Sequence, residues 1–344
     1  MAYTIEDTPG TIRRIEKDLT LIEDSVRQAD PALRSLVLTG GFARGEGAVL
    51  DGAPQNDYDL VAIRSPGRTR TSYDTLRKGL EKELGLHLDL APVLHWRLPW
   101  VSSSIFWYET ALRGRVLWGD DLLDRIPVRD PTRLDKTEGL RLLTNRAAGL
   151  LLVARSDDAH ARRIQAAKGL LAALDAHLFA KGVFPPSQTE RYHAFLDMLE
   201  RCDAPASLIA RHDAITWAYR FKTDPGGTPS ADAHQVWREA AAAILEAVPV
   251  GLKHAGMGSL DDLARQDNTI DRLYFALNSG RVPHVRRAIV HPTGRVRTAT
   301  LRILHSARDG TIRNKEARRY LAGLVHDVDD PLVTLEALRE ATLQ

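Results

Sequence analysis

Strand-forming sequence is confined to the first third of this chain. Four short apolar stretches, Ser35–Thr39, Tyr58–Ile63, Leu86–Leu90 and Val116–Trp118, are separated there by helical patterns and Gly-rich loops. Beyond Asp120 the strand signal nearly vanishes. Long Leu/Ala-rich stretches follow, at about residues 134–154, 159–181, 191–200 and 205–221. A chain divided in this way fits neither an all-β fold nor a regularly alternating one. The expectation is α+β: a small mixed-sheet domain over 1–120, a helical bundle over 121–250 and a helical C-terminal region over 251–344. The 344 residues are too many for one minimal domain. At 44% hydrophobic and 27% charged, the composition excludes a disordered or fibrous chain.

Local signals fill in this outline. Ile12, Ile15, Leu19, Ile22 and Val26 recur at three- and four-residue steps, which places one apolar face on a first helix. Asp30-Pro31 ends it, because proline disfavours the helical conformation in the residue before it. Ser72 is placed to cap the next helix, with Leu76, Leu80 and Leu84 on its inner face. Ser187-Gln-Thr-Glu190 is a capping-box pattern, and Thr223 to Pro229 is a cluster of helix breakers. In the tail, Pro292, Val296, Thr300 and Leu301 can be laid on Pro331, Val333, Ala337 and Leu338. That spacing resembles helical-hairpin repeats of the HEAT class.

Other features narrow the setting. Cys202 is the single cysteine, so neither an internal disulfide nor a cysteine-rich zinc site can form. The longest apolar run, Ala147 to Ala154, is far short of the ~20 residues of a membrane-spanning helix, so no membrane partner is expected. The amino terminus carries acids where a secretory signal would carry bases, and a cytoplasmic setting is expected. The net charge is only +2, yet Arg281 to Arg319 holds eleven Lys or Arg against Asp309 and Glu316. This basic stretch is either a set of solvated helix faces or a surface for an anion such as RNA.

The chemistry concentrates in Leu38-Thr-Gly-Gly-Phe-Ala-Arg-Gly-Glu-Gly47 and Asn56-Asp-Tyr-Asp-Leu-Val61. Asp57 and Asp59 are two apart, and residues i and i+2 of a strand project from one face. Two adjacent carboxylates repel each other unless a cation sits between them. Their hard oxygens select Mg²⁺ or Mn²⁺. Asp89 holds the matching place in a neighbouring apolar strand and completes a three-acid cluster of the kind that supports two-metal chemistry. Gly40-Gly41 follows a strand directly, and its bare main chain lets phosphate oxygens approach. Together these residues describe a site for a metal-bound nucleoside triphosphate.

With hydrophobic-Gly-Gly, a spacer, Asp-hydrophobic-Asp and a third acid on a later strand, the chain resembles the polymerase-β-like nucleotidyltransferase superfamily. The likeness covers about residues 33–120. The helices behind it are similar in arrangement to small-molecule members such as aminoglycoside nucleotidyltransferases. It implies transfer of an NMP from an NTP, ATP being the guess, to an acceptor hydroxyl with release of pyrophosphate. Asp57, Asp59 and Asp89 would be the catalytic, metal-binding residues, and Gly40, Gly41, Arg44 and Lys168 would bind the nucleotide. The acceptor is expected between the sheet unit and the bundle. One departure is the fifteen residues between Gly41 and Asp57, where Leu50-Asp-Gly-Ala-Pro54 is expected to widen a loop.

Several assignments carry a plainer alternative. Arg44 either grips phosphate or pairs with Glu46 or Asp57 to fix the loop. Lys168, among small and apolar neighbours, either snorkels to the surface or reaches phosphate, as a helical-domain lysine does in related enzymes. Tyr192 and Lys222 are weaker cleft candidates, and His87 shares a face with Asp89. Two rival functions stand beside the small-molecule transferase. One is transfer to RNA or a protein side chain, favoured by residues 281–319; the other is a non-catalytic nucleotide sensor.

Overall fold

The computed structural model of the chain describes residues 2–265, 293–321 and 330–343. In chain order its principal elements are α1 (Pro9–Ala29), β1 (Leu33–Thr39), α2 (Gly40–Arg44), β2 (Val49–Leu50), β3 (Ala53–Pro54), β4 (Tyr58–Arg64), α3 (Tyr73–Leu84), β5 (Leu88–Leu94), α4 (Ile105–Arg113) and β6 (Arg115–Gly119). Helices α5 (Glu138–Val153), α6 (Ala159–Ala180), α7 (Gln188–Glu200), α8 (Ala206–Ile209), α9 (His212–Thr223), α10 (Ala233–His254) and α11 (Leu260–Arg265) follow. The described tail adds α12 (Thr293–Ser306), α13 (Asn314–Leu321) and α14 (Pro331–Leu343). The class is α+β, with a small mixed sheet and a helical remainder.

Packing divides the chain otherwise than at 120 and 250. One unit holds residues 1–135 together with 182–197 and 219–228; the other holds 136–181, 198–218 and 229–344. The segments that rejoin the first unit carry most of α7 and the end of α9, so chain order and packing order part company here.

In the first unit a four-stranded sheet runs β5-β4-β1-β6. Strand β4 is antiparallel to β1 and parallel to β5, and β1 is antiparallel to β6. Period-two alternation sorts the strands' side chains between two cores. Leu36, Leu38, Tyr58, Leu60, Ala62, Leu88 and Leu90 pack with Ile15, Leu19, Ile22 and Val26 of α1 and Leu80 of α3. Val37, Val61 and Ile63 turn the other way and pack with Ala111 of α4, Leu98, Leu122 and Ile126. Asp59 follows the second set in register, and this decides which face the acids occupy.

The five-residue excess between the glycines and Asp57 is not a widened loop. Val49 pairs with Pro54 and Leu50 with Ala53, and the connecting Asp51 and Gly52 have φ of 52° and 77°. Two consecutive positive φ values mark the tight type I′ hairpin for which Asp-Gly is favoured. At the neck, Gln55 N–H donates to Ala48 C=O at 2.9 Å and Ala48 N–H donates to the Asn56 side chain. The insertion is clipped off as a hairpin, leaving Asp57 close behind the glycine segment in effective chain length.

The second unit is helical. Leu140, Leu143, Ala147, Leu150 and Leu151 of α5 are buried, as are Ala166, Ala167, Leu170 and Leu174 of α6 and Ala240, Ala241 and Ile244 of α10. These three helices pack against one another. Alanine and glycine permit close crossings: a Cβ on Gly169 would lie 3.2 Å from the Cβ of Ala240. Trp237 threads into this core and donates from Nε1 to Leu150 C=O at 2.8 Å. Helices α12 and α14 also pack on α5. The stretch expected to form one helix over 205–221 is broken between α8 and α9. There Arg211 turns its guanidinium to Glu239 and Glu246, at 2.6 and 2.5 Å. Pro292, on which the repeat alignment begins, and residues 281–292 of the basic stretch lie outside the described residues. No helix among the described residues is long and apolar enough to cross a membrane.

Candidate functional site

The acids take their places from strand register. Asp57 immediately precedes β4, and Asp59 is its second residue. Tyr58 and Leu60 alternate with them and are buried, whereas Asp57 and Asp59 are half-buried. In the parallel pairing Asp59 stands opposite Asp89, which is likewise flanked by buried Leu88 and Leu90. Side chains at paired positions project from the same face, so Asp59 and Asp89 share the face that carries Val61 and Ile63.

Tyr58 fixes this register from behind. Its hydroxyl donates to Asp18 Oδ2 at 3.1 Å, and its ring lies 4.8 Å from that of Phe42. Phe42 in turn anchors α2 in the core, so the glycine segment is tied to the strand that bears the acids. Thr39 pairs with Asp59 across β1 and β4, and Thr39 Oγ1 donates to Asp59 C=O at 3.2 Å. Gly40 then has φ +65°, and a Cβ built on it would lie 1.8 Å from Asp59 Oδ2. Only glycine fits. Its positive φ and the carboxylate seated against its main chain each exclude a side chain.

Among the described residues, no three His, Cys, Asp or Glu side chains form a group that could hold a metal ion. Asp89 is the most exposed of the three acids. Its side chain is 66% exposed and inclines toward His87 Nε2 at 3.5 Å, while His87 Nδ1 lies 2.6 Å from Glu81. The donors nevertheless suit a divalent cation in kind. Asp57 and Asp59 offer hard oxygens from one half-buried strand end, and the cradle at Gly40 is kept clear of side chains beside one of them.

The loop after the glycines is organised differently. Arg44 donates from Nε to Glu46 Oε2 at 2.8 Å and from Nη1 to Glu109 Oε2 at 2.7 Å. Its side chain is 7% exposed. The plainer alternative for this arginine is therefore what its surroundings provide: it fixes the loop. Glu109 bridges to a second buried arginine, Arg191, whose Nη1 donates at 2.8 Å. That guanidinium also donates to Pro185 C=O at 3.0 Å and lies over the Phe184 ring at 4.6 Å. Glu46 accepts from the main-chain N–H of Gln188 at 3.2 Å and of Thr189 at 2.7 Å, at the start of α7. A carboxylate there meets free amides and the positive end of the helix dipole.

Burial alone would raise the Glu46 pKa, but Arg44, the Thr189 amide and Lys222 outweigh it and bring it down to about 2. For Glu109 too, burial acts upward and is overcome by Arg44 and Arg191, leaving it below the usual carboxylate range. Arg44 is correspondingly held above its ordinary value: desolvation opposes the charge, and Glu109, Glu46 and Asp59 more than offset it.

Other singled-out residues can be placed. Tyr192 is buried and stacked on Tyr219, ring centroids 4.1 Å apart and planes 10° from parallel. The Tyr219 hydroxyl donates to Thr189 Oγ1 at 3.3 Å. Lys222 is half-buried and acts electrostatically on Glu46 and Glu109. Lys168 is a half-buried residue of α6 in the second unit. Glu109 and Arg191 were not singled out from the sequence, where nothing distinguishes them from other charged helix residues. The capping box at the start of α7 was legible: Glu190 N–H donates to Ser187 Oγ at 3.1 Å, and Ser187 N–H donates to Glu190 Oε2 at 3.2 Å. No protein-family model matches the chain, and comparison with curated proteins finds no relative.

Proposed function

We propose that this protein is an Mg²⁺-dependent nucleotidyltransferase of the polymerase-β-like type, with Mn²⁺ able to serve in place of Mg²⁺. It moves a nucleoside monophosphate from an NTP, ATP first among the candidates, to a hydroxyl of a small cytosolic acceptor. A bond forms from the acceptor oxygen to the α-phosphorus, the α–β bridging bond breaks, and pyrophosphate leaves. The observation that carries this reading is the pairing of Asp59 with Asp89 across β4 and β5, with Asp57 just ahead of β4 and the main chain of Gly40 directly against Asp59.

Each residue has a part in it. Asp57 and Asp59 would hold the divalent ions. Bound there, such ions neutralise the triphosphate and lower the pKa of the attacking hydroxyl. Asp89, the most exposed of the three, would join the same set and take the acceptor's proton. Gly40 and Gly41 keep side chains away from the phosphates. Arg44 acts through the loop rather than on phosphate, because it is buried with Nε on Glu46 and Nη1 on Glu109. Positioning and charge neutralisation would supply most of the acceleration.

The test is incubation with each labelled NTP, Mg²⁺ and a panel of hydroxyl-bearing small molecules, following pyrophosphate release and labelled product. Metal-dependent release that is abolished in Asp57→Ala and Asp59→Ala supports the reading. No turnover with any of the four nucleotides, together with no metal-dependent NTP binding, overturns it. Binding without release would instead describe a nucleotide sensor.

A further inference from the structure

The last turn of α6 carries a histidine inside the helical unit. His177 is buried, on the helix that packs with α5 and α10. Its Nδ1 lies 2.9 Å from the Ala173 carbonyl oxygen, one turn back along α6. A carbonyl oxygen has no proton to give, so Nδ1 carries the hydrogen and donates it. In a neutral ring Nε2 is then the acceptor, with its direction fixed by that bond. Burial pushes the His177 imidazole below its ordinary value and outweighs the Ala173 carbonyl and Glu246, which act upward. The ring is thus neutral near neutral pH. Glu246, on α10, is itself engaged by Arg211 at 2.5 Å.

What Nε2 meets is a hydroxyl. Ser207 Oγ of α8 lies 3.3 Å away, and because the ring nitrogen accepts, the serine donates. Ser207 is half-buried, while Ala206 and Ile209 of the same short helix are exposed. Residues 209–214, which follow, line a cavity of about 820 Å³ that Trp217 and Val236 also line. The serine, the histidine and this cavity all belong to the second unit. A hydroxyl bonded to a neutral imidazole, whose far nitrogen is locked by a third group, is the arrangement that activates a serine. The proposed nucleotidyl transfer uses neither residue.

We infer that Ser207 and His177 are a nucleophile and its base, and that Ser207 takes an acyl group from an activated ester of a small carboxylic acid. Ser207 Oγ attacks the ester carbonyl carbon while its proton passes to His177 Nε2. The bond from that carbon to the alcohol oxygen breaks, and the departing oxygen takes the proton from Nε2. The products are an acyl ester on Ser207 and the free alcohol. The Ala173 carbonyl holds the ring in place and takes no proton.

Two probes test this on the full chain, with EDTA present so that metal-dependent chemistry at the aspartates is silent. A fluorophosphonate reports base-activated serines, and p-nitrophenyl acetate reports acyl transfer through the nitrophenol released. Both are expected to modify Ser207, located by peptide mass spectrometry, in the folded chain and not in the urea-unfolded one. Ser207 should react at least about tenfold faster than any other serine of the same molecules, a comparison that needs no substitution. Ser207→Ala should abolish the adduct and keep the melting temperature close to that of the wild type. His177→Gln should slow adduct formation at Ser207 about a hundredfold. No adduct at Ser207 with either probe, or labelling no faster than at other serines, overturns the inference. So does an adduct that forms equally fast in folded His177→Gln protein, which would leave the Ser207–His177 bond purely structural. Neither assay reads nucleotidyl transfer, so the outcome is independent of that proposal.

Discussion

Two sets of carboxylates in the first unit invite comparison. Glu46 and Glu109 are buried among Arg44, Arg191 and the opening amides of α7, and their pKa values are held low by those partners. Asp57, Asp59 and Asp89 stand at the half-open ends of β4 and β5, where alternation leaves them outside either apolar core. The same functional group serves two purposes according to its surroundings. Enclosed by permanent cations it becomes a structural joint, because removing either partner strands a buried charge. Half-buried at a strand end beside a bare main chain, it is the set proposed to take a mobile cation.

Substitutions should separate the two sets, and the largest effect is expected on catalysis. Asp59→Ala should lower the rate of the proposed nucleotidyl transfer by at least about a thousandfold, since the metal ions proposed there would supply several kcal/mol of transition-state stabilisation. Its melting temperature should stay close to that of the wild type, in parallel calorimetry. A large loss of stability instead would place Asp59 among the structural carboxylates and break the comparison.

Glu46→Ala should show the opposite profile. Unfolding by urea should reveal a loss of about 3 kcal/mol, because Arg44 and two amides of α7 lose their acceptor. The pH dependence sharpens this. With its pKa lowered from 4.5 to about 2, Glu46 contributes stability that is complete above pH 4.5 and drains away as pH falls toward 2. Glu46→Gln should therefore flatten the acid limb of the stability profile in that window and leave the neutral limb parallel to the wild type.

Gly40→Ala lies between the two sets. The added methyl must displace the Asp59 carboxylate from 1.8 Å and adopt a positive φ. A stability loss of about 2 kcal/mol and a large fall in activity are expected together, measured by thermal melts and pyrophosphate release. Smaller still, Ser187→Ala should cost about 1 kcal/mol by removing one half of the capping box on α7. Cys202 is exposed, with φ of 56°. Cys202→Gly should thus leave transfer untouched and add a few tenths of a kcal/mol in the same melts.

Much of the sheet unit was written in local sequence. The period of Ile12 to Val26 marks α1, Ser72 caps α3 through its hydroxyl on the Thr75 amide, and Asp59 shares the side of Val61 and Ile63 because a strand alternates. The Asp51-Gly52 turn was equally present as a signal and was read as loop widening, since a two-residue strand is too short to show a period. The partners of Arg44 were of another kind. Two alternatives for it were open, and Glu109, 65 positions away, was in neither.

Sequence by itself determined that the strands gather in the first third with helices after them, which strand residues alternate onto one face, and that a glycine pair precedes two aspartates. Each of these is set within a few residues by backbone sterics and side-chain periodicity. Tertiary structure alone decided that Glu46 would close the start of α7, 142 positions further on, and that 182–197 and 219–228 would return to the sheet unit. It also decided that Asp59 would rest against Gly40. Those outcomes depend on which distant surfaces exclude water together, and no local pattern carries that information.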